Sequence, residues 1–283
     1  MPSQLVWLIT GTSSGLGREL AFEALDRGDK VVATARKHSF ERLDDLKTAG
    51  AYTLELDVTA PLEELHVVAK NAVGVYGRVD VLVNNAGFAV FGAVEEMTPE
   101  KTLDQFNGNL LGPLNVARAF LPYMRAAKSG TILWNGSCKA WVPYVNVGLY
   151  AATKAAMHSI SSTLHAEISP FGLRSLVIEP GYFRTSIITV ATRSPTRIDD
   201  YHAALEPLQQ MFDDYDGKQP GDPKKGAKIF VDVVRGEGAA AGRNISLALP
   251  LGPDAVKDIR TACKETLRQL EEWEAVCMST DID

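Results

Sequence analysis

The chain has 283 residues, 46% of them hydrophobic and 23% charged, so it can bury a large core without disulfide or metal staples. Its formal net charge of −6 argues against a dedicated nucleic-acid binder, which would carry a basic surface. No apolar run approaches the roughly 18 residues of a membrane-spanning helix. The cysteines Cys138, Cys263 and Cys277 form no C-x-x-C and cannot all pair, which points to a reducing compartment. The opening Met1-Pro2-Ser3-Gln4 lacks the charged and long apolar regions of a secretory leader, and a cytoplasmic location is the expectation.

Short β-rich runs alternate with helical patterns from the start. Leu5-Val6-Trp7-Leu8-Ile9 is the continuous apolar run of a strand buried on both faces of a parallel sheet. After a glycine-rich turn, Leu16, Leu20, Ala21, Ala24 and Leu25 recur at helical spacing, and Gly28 ends that helix. Further strands are predicted at 31–34, 52–56, 79–83, 131–134, 174–178 and 244–249, with helices near 61–76, 99–127 and 149–171. This alternation predicts a doubly wound α/β Rossmann-type parallel sheet of about seven strands in the order 3-2-1-4-5-6-7, one domain spanning 1–283. Ligands of such a sheet lie beyond the carboxyl ends of its strands.

Residues 185–222 break the regular pattern and read as a substrate lid, in which Leu205, Leu208, Met211 and Phe212 form a short apolar helix face. Over 252–278 a C-terminal helix carries the stripe Val256, Ile259, Cys263, Leu267, Leu270, Trp273 and Val276, expected to pack on the parent domain. The acidic pairs Asp44-Asp45, Glu63-Glu64 and Glu95-Glu96 read as solvated faces. His38, His66, His158, His165 and His202 show no metal-type spacing, so no metal is expected.

Thr10-Gly11-Thr12-Ser13-Ser14-Gly15-Leu16-Gly17 joins the first strand to the first helix. By itself it could be a mere tight turn. Its placement favours a dinucleotide site, because glycines admit a pyrophosphate close to the backbone and the helix start offers free N–H groups. At the end of the second strand, where NAD sites place a carboxylate on the ribose, stand Ala35 and Arg36. A guanidinium there binds a 2′-phosphate that a carboxylate would repel, so NADP(H) is expected over NAD(H), unless Arg36 is one more solvated arginine. Tyr150-Ala151-Ala152-Thr153-Lys154 sets a phenol and an ammonium one turn apart on one helix face. A nearby ammonium is expected to lower the phenol's pKa and so tune it for proton transfer.

The G-x-x-x-G-x-G spacing, with Tyr150 and Lys154, resembles the short-chain dehydrogenase/reductase family, and the likeness runs along nearly the whole chain. The resemblance implies cofactor contacts from Gly11, Ser13, Ser14, Gly15, Leu16 and Gly17 at the glycine turn. It implies further contacts from the adenine-side pair Asp57-Val58, from Asn84, Ala86 and Gly87 of Asn84-Asn85-Ala86-Gly87, and from Tyr150 and Lys154, the latter on the ribose. Pro180, Gly181, Phe183 and Thr185 resemble the segment that holds the nicotinamide carboxamide. Ser137, thirteen residues before Tyr150, matches the family's substrate-binding serine, and Asn109 its helix-kinking, water-anchoring asparagine. The chain departs from the usual I-S-S in reading Asn135-Gly136-Ser137-Cys138, where Cys138 is expected to be packed rather than to line the pocket.

These features imply an oxidoreductase interconverting a ketone or aldehyde and an alcohol, with Phe88, Phe91, Trp141, Tyr144 and Tyr182 as candidate walls for a bulky apolar substrate. A cofactor-sensing scaffold and an isomerase or dehydratase with the same Tyr/Lys pair are the alternatives. The family often forms dimers or tetramers through helices that would correspond to 101–127 and 149–171.

Overall fold

The computed structural model describes residues 4–142, 144–244 and 246–282. The opening Met1-Pro2-Ser3, and Ile245 in the expected seventh strand, lie outside the described residues. In chain order the elements are β1 (Val6–Ile9), α1 (Gly15–Asp26), β2 (Lys30–Ala35), α2 (Asp44–Thr48), β3 (Tyr52–Glu55), α3 (Leu62–Tyr76) and β4 (Val81–Asn84). There follow β5 (Val90–Phe91), α4 (Pro99–Phe106), α5 (Gly112–Ala127), β6 (Gly130–Asn135), α6 (Gly148–Ile168), β7 (Leu173–Pro180) and β8 (Thr192–Arg193). The chain ends with α7 (Asp199–Tyr215), α8 (Pro223–Arg235), β9 (Ala248–Leu251) and α9 (Pro253–Cys277).

Seven strands form one parallel sheet in the order β3-β2-β1-β4-β6-β7-β9, which is the expected topology. Apolar runs become central strands because a parallel sheet is covered on both faces. Trp7, Leu8 and Ile9 of β1 are wholly buried. Alternate residues feed two cores: Trp7, Ile9 and Val31 pack with Leu20, Ala24 and Phe230 of α1 and α8. Leu8, Val32 and Leu82 pack with Leu65, Val116 and Phe120 of α3 and α5.

Three expectations are corrected. The helix expected over 99–127 is interrupted by a π-helical turn, Asn107–Leu111, between α4 and α5. The expected lid is more regular than its sequence suggests. β8 pairs in parallel with β5, and α7 is a 17-residue helix that buries Leu205 and Phe212 but leaves Met211 exposed. Finally, the C-terminal stripe does not pack on the domain. Only Ala255 and Ile259 of α9 are buried, whereas Leu267, Leu270, Trp273 and Val276 are each 57–60% exposed. An apolar period reports that a helix has a seam, not what lies against it.

Glu96 is also unlike its expected solvated state. It is 2% exposed and accepts hydrogen bonds from the backbone N–H of Ala93 and of Ile198, both at 3.0 Å, so it ties the lid to the body. Removing a buried acceptor strands its donors at a cost of about 1–3 kcal/mol. Glu96→Ala should therefore speed limited proteolysis within 185–222 while the rest of the chain stays resistant; unchanged cleavage would assign the lid's order to other contacts.

Candidate active site

Thr10, at the end of β1, fixes the floor of a long cleft. Its hydroxyl donates to the Val83 carbonyl at 3.2 Å and accepts from the N–H groups of Asn85 and Ala86, both at 3.0 Å. Gly11 lies at φ +71°, and a Cβ there would stand 2.9 Å from the Cα of Ala86, so the two loops touch only because residue 11 has no side chain. Gly17 serves packing in the same way: a Cβ would collide with the Asn85 side chain and the Gly11 carbonyl.

The cleft is lined by Gly11, Ser13, Ser14, Gly15, Leu16, Arg36, Asp57, Val58, Ala86, Gly87 and Thr185, all expected from the sequence. The residues fit an anionic dinucleotide. Helix α1 begins at the cleft with no acidic side chain in its first turn and no side-chain cap on its Ser14 N-cap, leaving N–H groups for phosphate oxygens. Arg36 is joined in the lining by His38, Ser39 and Arg42. The 3₁₀ turn Lys37–Leu43 brings Arg42 to the same cleft as Arg36. Asp57 uses one carboxylate oxygen to accept from the Thr59 N–H and hydroxyl, at 2.9 and 2.7 Å.

Asn84 is buried in β4, and its neighbour Asn85 lines the cleft. The Asn85 amide donates to the carbonyls of Thr10 and Gly11 at 2.8 and 3.1 Å and accepts from the Asn135 amide at 2.9 Å. Strand alternation points one of two adjacent asparagines inward and the other at the turn, a choice the doubled residue alone cannot reveal.

A second, more apolar cleft opens beside the first and shares Leu16, Asn135, Thr185 and Ile187 with it. Ser137, Tyr150, Pro180, Gly181 and Phe183 line it, so the segment expected to hold the carboxamide spans the junction. Tyr150 and Lys154 lie on the same side of α6, with the Lys154 Nζ 5.6 Å from the phenol ring centroid. That Nζ donates to the Asn135 carbonyl at 2.7 Å, at the wall common to both clefts. Asn109, in the π turn, donates to the Phe88 carbonyl at 2.9 Å and accepts from the Phe88 N–H at 3.0 Å, with the Thr153 hydroxyl at 3.4 Å. Its side chain thus braces the loop after β4 against α6.

Electrostatics correct one expectation. Burial pushes the Tyr150 phenol up to about 12, opposed by a hydrogen bond with Ser137, and pushes the Lys154 amine down to about 8. Desolvation of the charged form is the leading cause for both groups, and the ammonium is not among the causes acting on the phenol. Cys138 is packed against Ala255 and Ile259, and burial raises its thiol to about 11, although its surface reaches the apolar cleft. A neutral thiol of this kind is no nucleophile.

Of the expected aromatic walls, Phe91 and Tyr182 line the apolar cleft, with Phe91 stacked on Phe212 of the lid at 5.0 Å. Phe88 lines the long cleft instead. Tyr144 packs behind, edge-on to Phe212 at 5.6 Å. Trp141 turns away to donate to Glu179 at 2.8 Å; the other oxygen of that wholly buried carboxylate meets His158 at 2.8 Å.

Comparison with known proteins agrees with this geometry. The family model described as short chain dehydrogenase matches residues 5–195. "Oxidoreductase BOA17" of Botryotinia fuckeliana is 33% identical over 279 residues, covering 97% of this chain and 98% of that protein. A short-chain dehydrogenase structure from Streptomyces avermitilis superposes with a TM-score of 0.86 at 38% identity, covering 99% of both chains. The structure of actinorhodin polyketide ketoreductase with NADPH gives a TM-score of 0.72 at 26% identity, covering 88% of this chain and 95% of that one. The chain belongs to the short-chain dehydrogenase family of oxidoreductases. Among the described residues no helix is long and apolar enough to cross a membrane.

Proposed function

We propose that this protein is an NADP(H)-dependent oxidoreductase that interconverts a ketone or aldehyde and an alcohol, acting mainly as a reductase of a bulky apolar carbonyl. One observation carries the reading: the Tyr150 phenol and Ser137 stand in an apolar cleft whose wall is shared with a cleft fitted for a dinucleotide. NADPH, when bound, supplies a hydride. The chain's own residues place the carbonyl oxygen and manage the proton. Ser137 holds that oxygen by a hydrogen bond as negative charge develops on it. Tyr150, kept neutral by burial, donates its proton to the same oxygen. Lys154, fixed on the Asn135 carbonyl, sets positive charge beside the phenol and refills its proton. Asn109 holds the π turn in place and supports the proton path toward Lys154. The rings of Phe91, Tyr182 and Phe212 exclude water around the reacting carbon.

Preference for the phosphorylated cofactor rests on Arg36 and Arg42, together with Ala35 where a carboxylate would select the free ribose. Arg36→Asp should reverse the preference, lowering kcat/KM for NADPH by about 10²-fold through a lost charge-assisted contact and added repulsion. An unaltered NADPH/NADH ratio in steady-state assays would remove Arg36 from cofactor choice.

The reading as a whole is tested by following NADPH absorbance with a panel of aryl and long-chain ketones. Consumption matched by alcohol formation is expected. Tight NADPH binding without consumption across the panel would favour a cofactor-sensing role.

A further inference from the structure

Helix α9 runs 25 residues, yet only its first turns touch the domain; beyond Ile259 nearly every residue is exposed. Most of its large apolar residues fall on two positions of a seven-residue repeat. Val256, Cys263, Leu270 and Cys277 occupy one seam position, and Ile259, Thr266 and Trp273 the other. Such heptad spacing suits a helix that supercoils with another, with Thr266 as the polar member of the seam and Leu267 and Val276 beside it.

Charge says what the other helix is. Lys257, Arg260, Lys264 and Arg268 outweigh Asp258 and Glu265 in the first part of the exposed helix, whereas Glu271, Glu272 and Glu274 crowd its last turns. Acidic residues at a helix C-terminus oppose the helix dipole, so this polarity costs an isolated α9 stability. It becomes favourable only against a helix of reversed polarity. We propose that α9 pairs antiparallel with α9 of a second copy of this chain, forming a two-fold-symmetric contact outside the domain body.

The pairing has a definite register. Antiparallel helices bring one seam position opposite the other, and setting Leu270 against Thr266 of the partner subunit also sets Cys263 against Trp273 of the partner subunit. The flanking positions then match as well. Arg260 faces Glu274 of the partner subunit, Leu267 meets its own symmetry copy, and Ala262 faces Val276 of the partner subunit. Among the described residues neither Arg260 nor Glu274 has an ion-pair partner within its own chain, whereas Arg268, on the outward face, is already paired with Glu265 and Glu272 at 2.7 Å. An isologous contact of this kind closes after two copies and does not propagate.

The test is sedimentation equilibrium of the full chain at about 100 μM, where even a contact at the small end of specific interfaces is populated. Leu270→Glu should halve the assembly mass while leaving circular dichroism unchanged, because the side chain is exposed and no fold contact is lost. Arg260→Glu and Glu274→Arg should each weaken association about tenfold, and the double exchange should restore it. A monomeric wild type, a mass insensitive to Leu270→Glu, or a double exchange no tighter than the singles would each overturn the proposal. Orientation is read with a short bis-maleimide. In the antiparallel register Cys263 lies about 6 Å along the axis from Cys277 of the partner subunit, but about 15 Å from its own copy. Cross-linking should vanish in both Cys263→Ser and Cys277→Ser; persistence in either would exclude this pairing. Sedimentation with phosphatidylcholine vesicles, abolished by Leu270→Glu in a protein that stays monomeric without them, would assign the seam to a lipid surface and overturn the proposal.

Discussion

Tyr150→Phe is expected to lower kcat for carbonyl reduction by about 10²–10⁴-fold, the span that positioned general acids contribute, with NADPH affinity unchanged. Phenylalanine keeps the ring that packs near Phe91, Val147 and Phe212, so the wall of the apolar cleft stays closed and only the hydroxyl is lost. Burial holds the phenol near 12, which makes it a proton donor throughout the neutral range. Loss should therefore appear in kcat rather than in KM, and a solvent isotope effect present in the wild type should disappear. A variant within tenfold of wild-type kcat would show that another group protonates the product oxygen.

Lys154→Met is expected to abolish turnover and at the same time to raise the melting temperature by a few degrees at neutral pH. The amine titrates near 8 in the folded chain against an ordinary value of 10.5, because burial disfavours its charged form. Below pH 8 the native state therefore carries a charge that the unfolded chain solvates better. The penalty is on the order of 3–4 kcal/mol, at about 1.4 kcal/mol for each pH unit of displacement. The unfolded chain binds the extra proton between pH 8 and 10.5, so wild-type stability rises across that window, and the advantage of Lys154→Met shrinks to nothing above it. Thermal melts of both proteins at neutral and alkaline pH measure the difference. A variant less stable than wild type at pH 7 would mean that the bond to Asn135 outweighs the burial cost.

Much of this architecture was readable from residue order because parallel strands covered on both faces must be apolar throughout. β1, β2, β4, β6 and β7 announce themselves in that way, and the spacing of Tyr150 and Lys154 survives any shift of helix ends. What escaped reading depended on contacts distant in sequence. The apolar face of α7 was legible in Leu205, Leu208 and Phe212, but its full length was not, because it begins with two aspartates and contains Pro207. The π turn at Asn109 arises from bonds to Phe88, twenty-one residues away. Glu96 looks like surface until the lid, a hundred residues on, donates to it. Arg42 reads as one basic residue among several until the 3₁₀ turn brings it to the same cleft as Arg36. Helix α8 did carry local signals, since Asp222 caps it, Pro223 opens it and Gly236 ends it, but they followed a stretch already read as irregular.

The ribbon of β5 and β8 has a consequence for traffic through the apolar cleft. Val90 and Phe91 pair with Thr192 and Arg193, and main-chain bonds run from Thr192 to Ala89 and from Ser194 to Phe91. Phe91 is thus fastened twice to the segment 185–222, by its carbonyl to the Ser194 N–H and by its ring to Phe212. Under the proposed function, a guest large enough to part those rings would also strain the fastening, so Phe91 would couple guest size to the order of that segment.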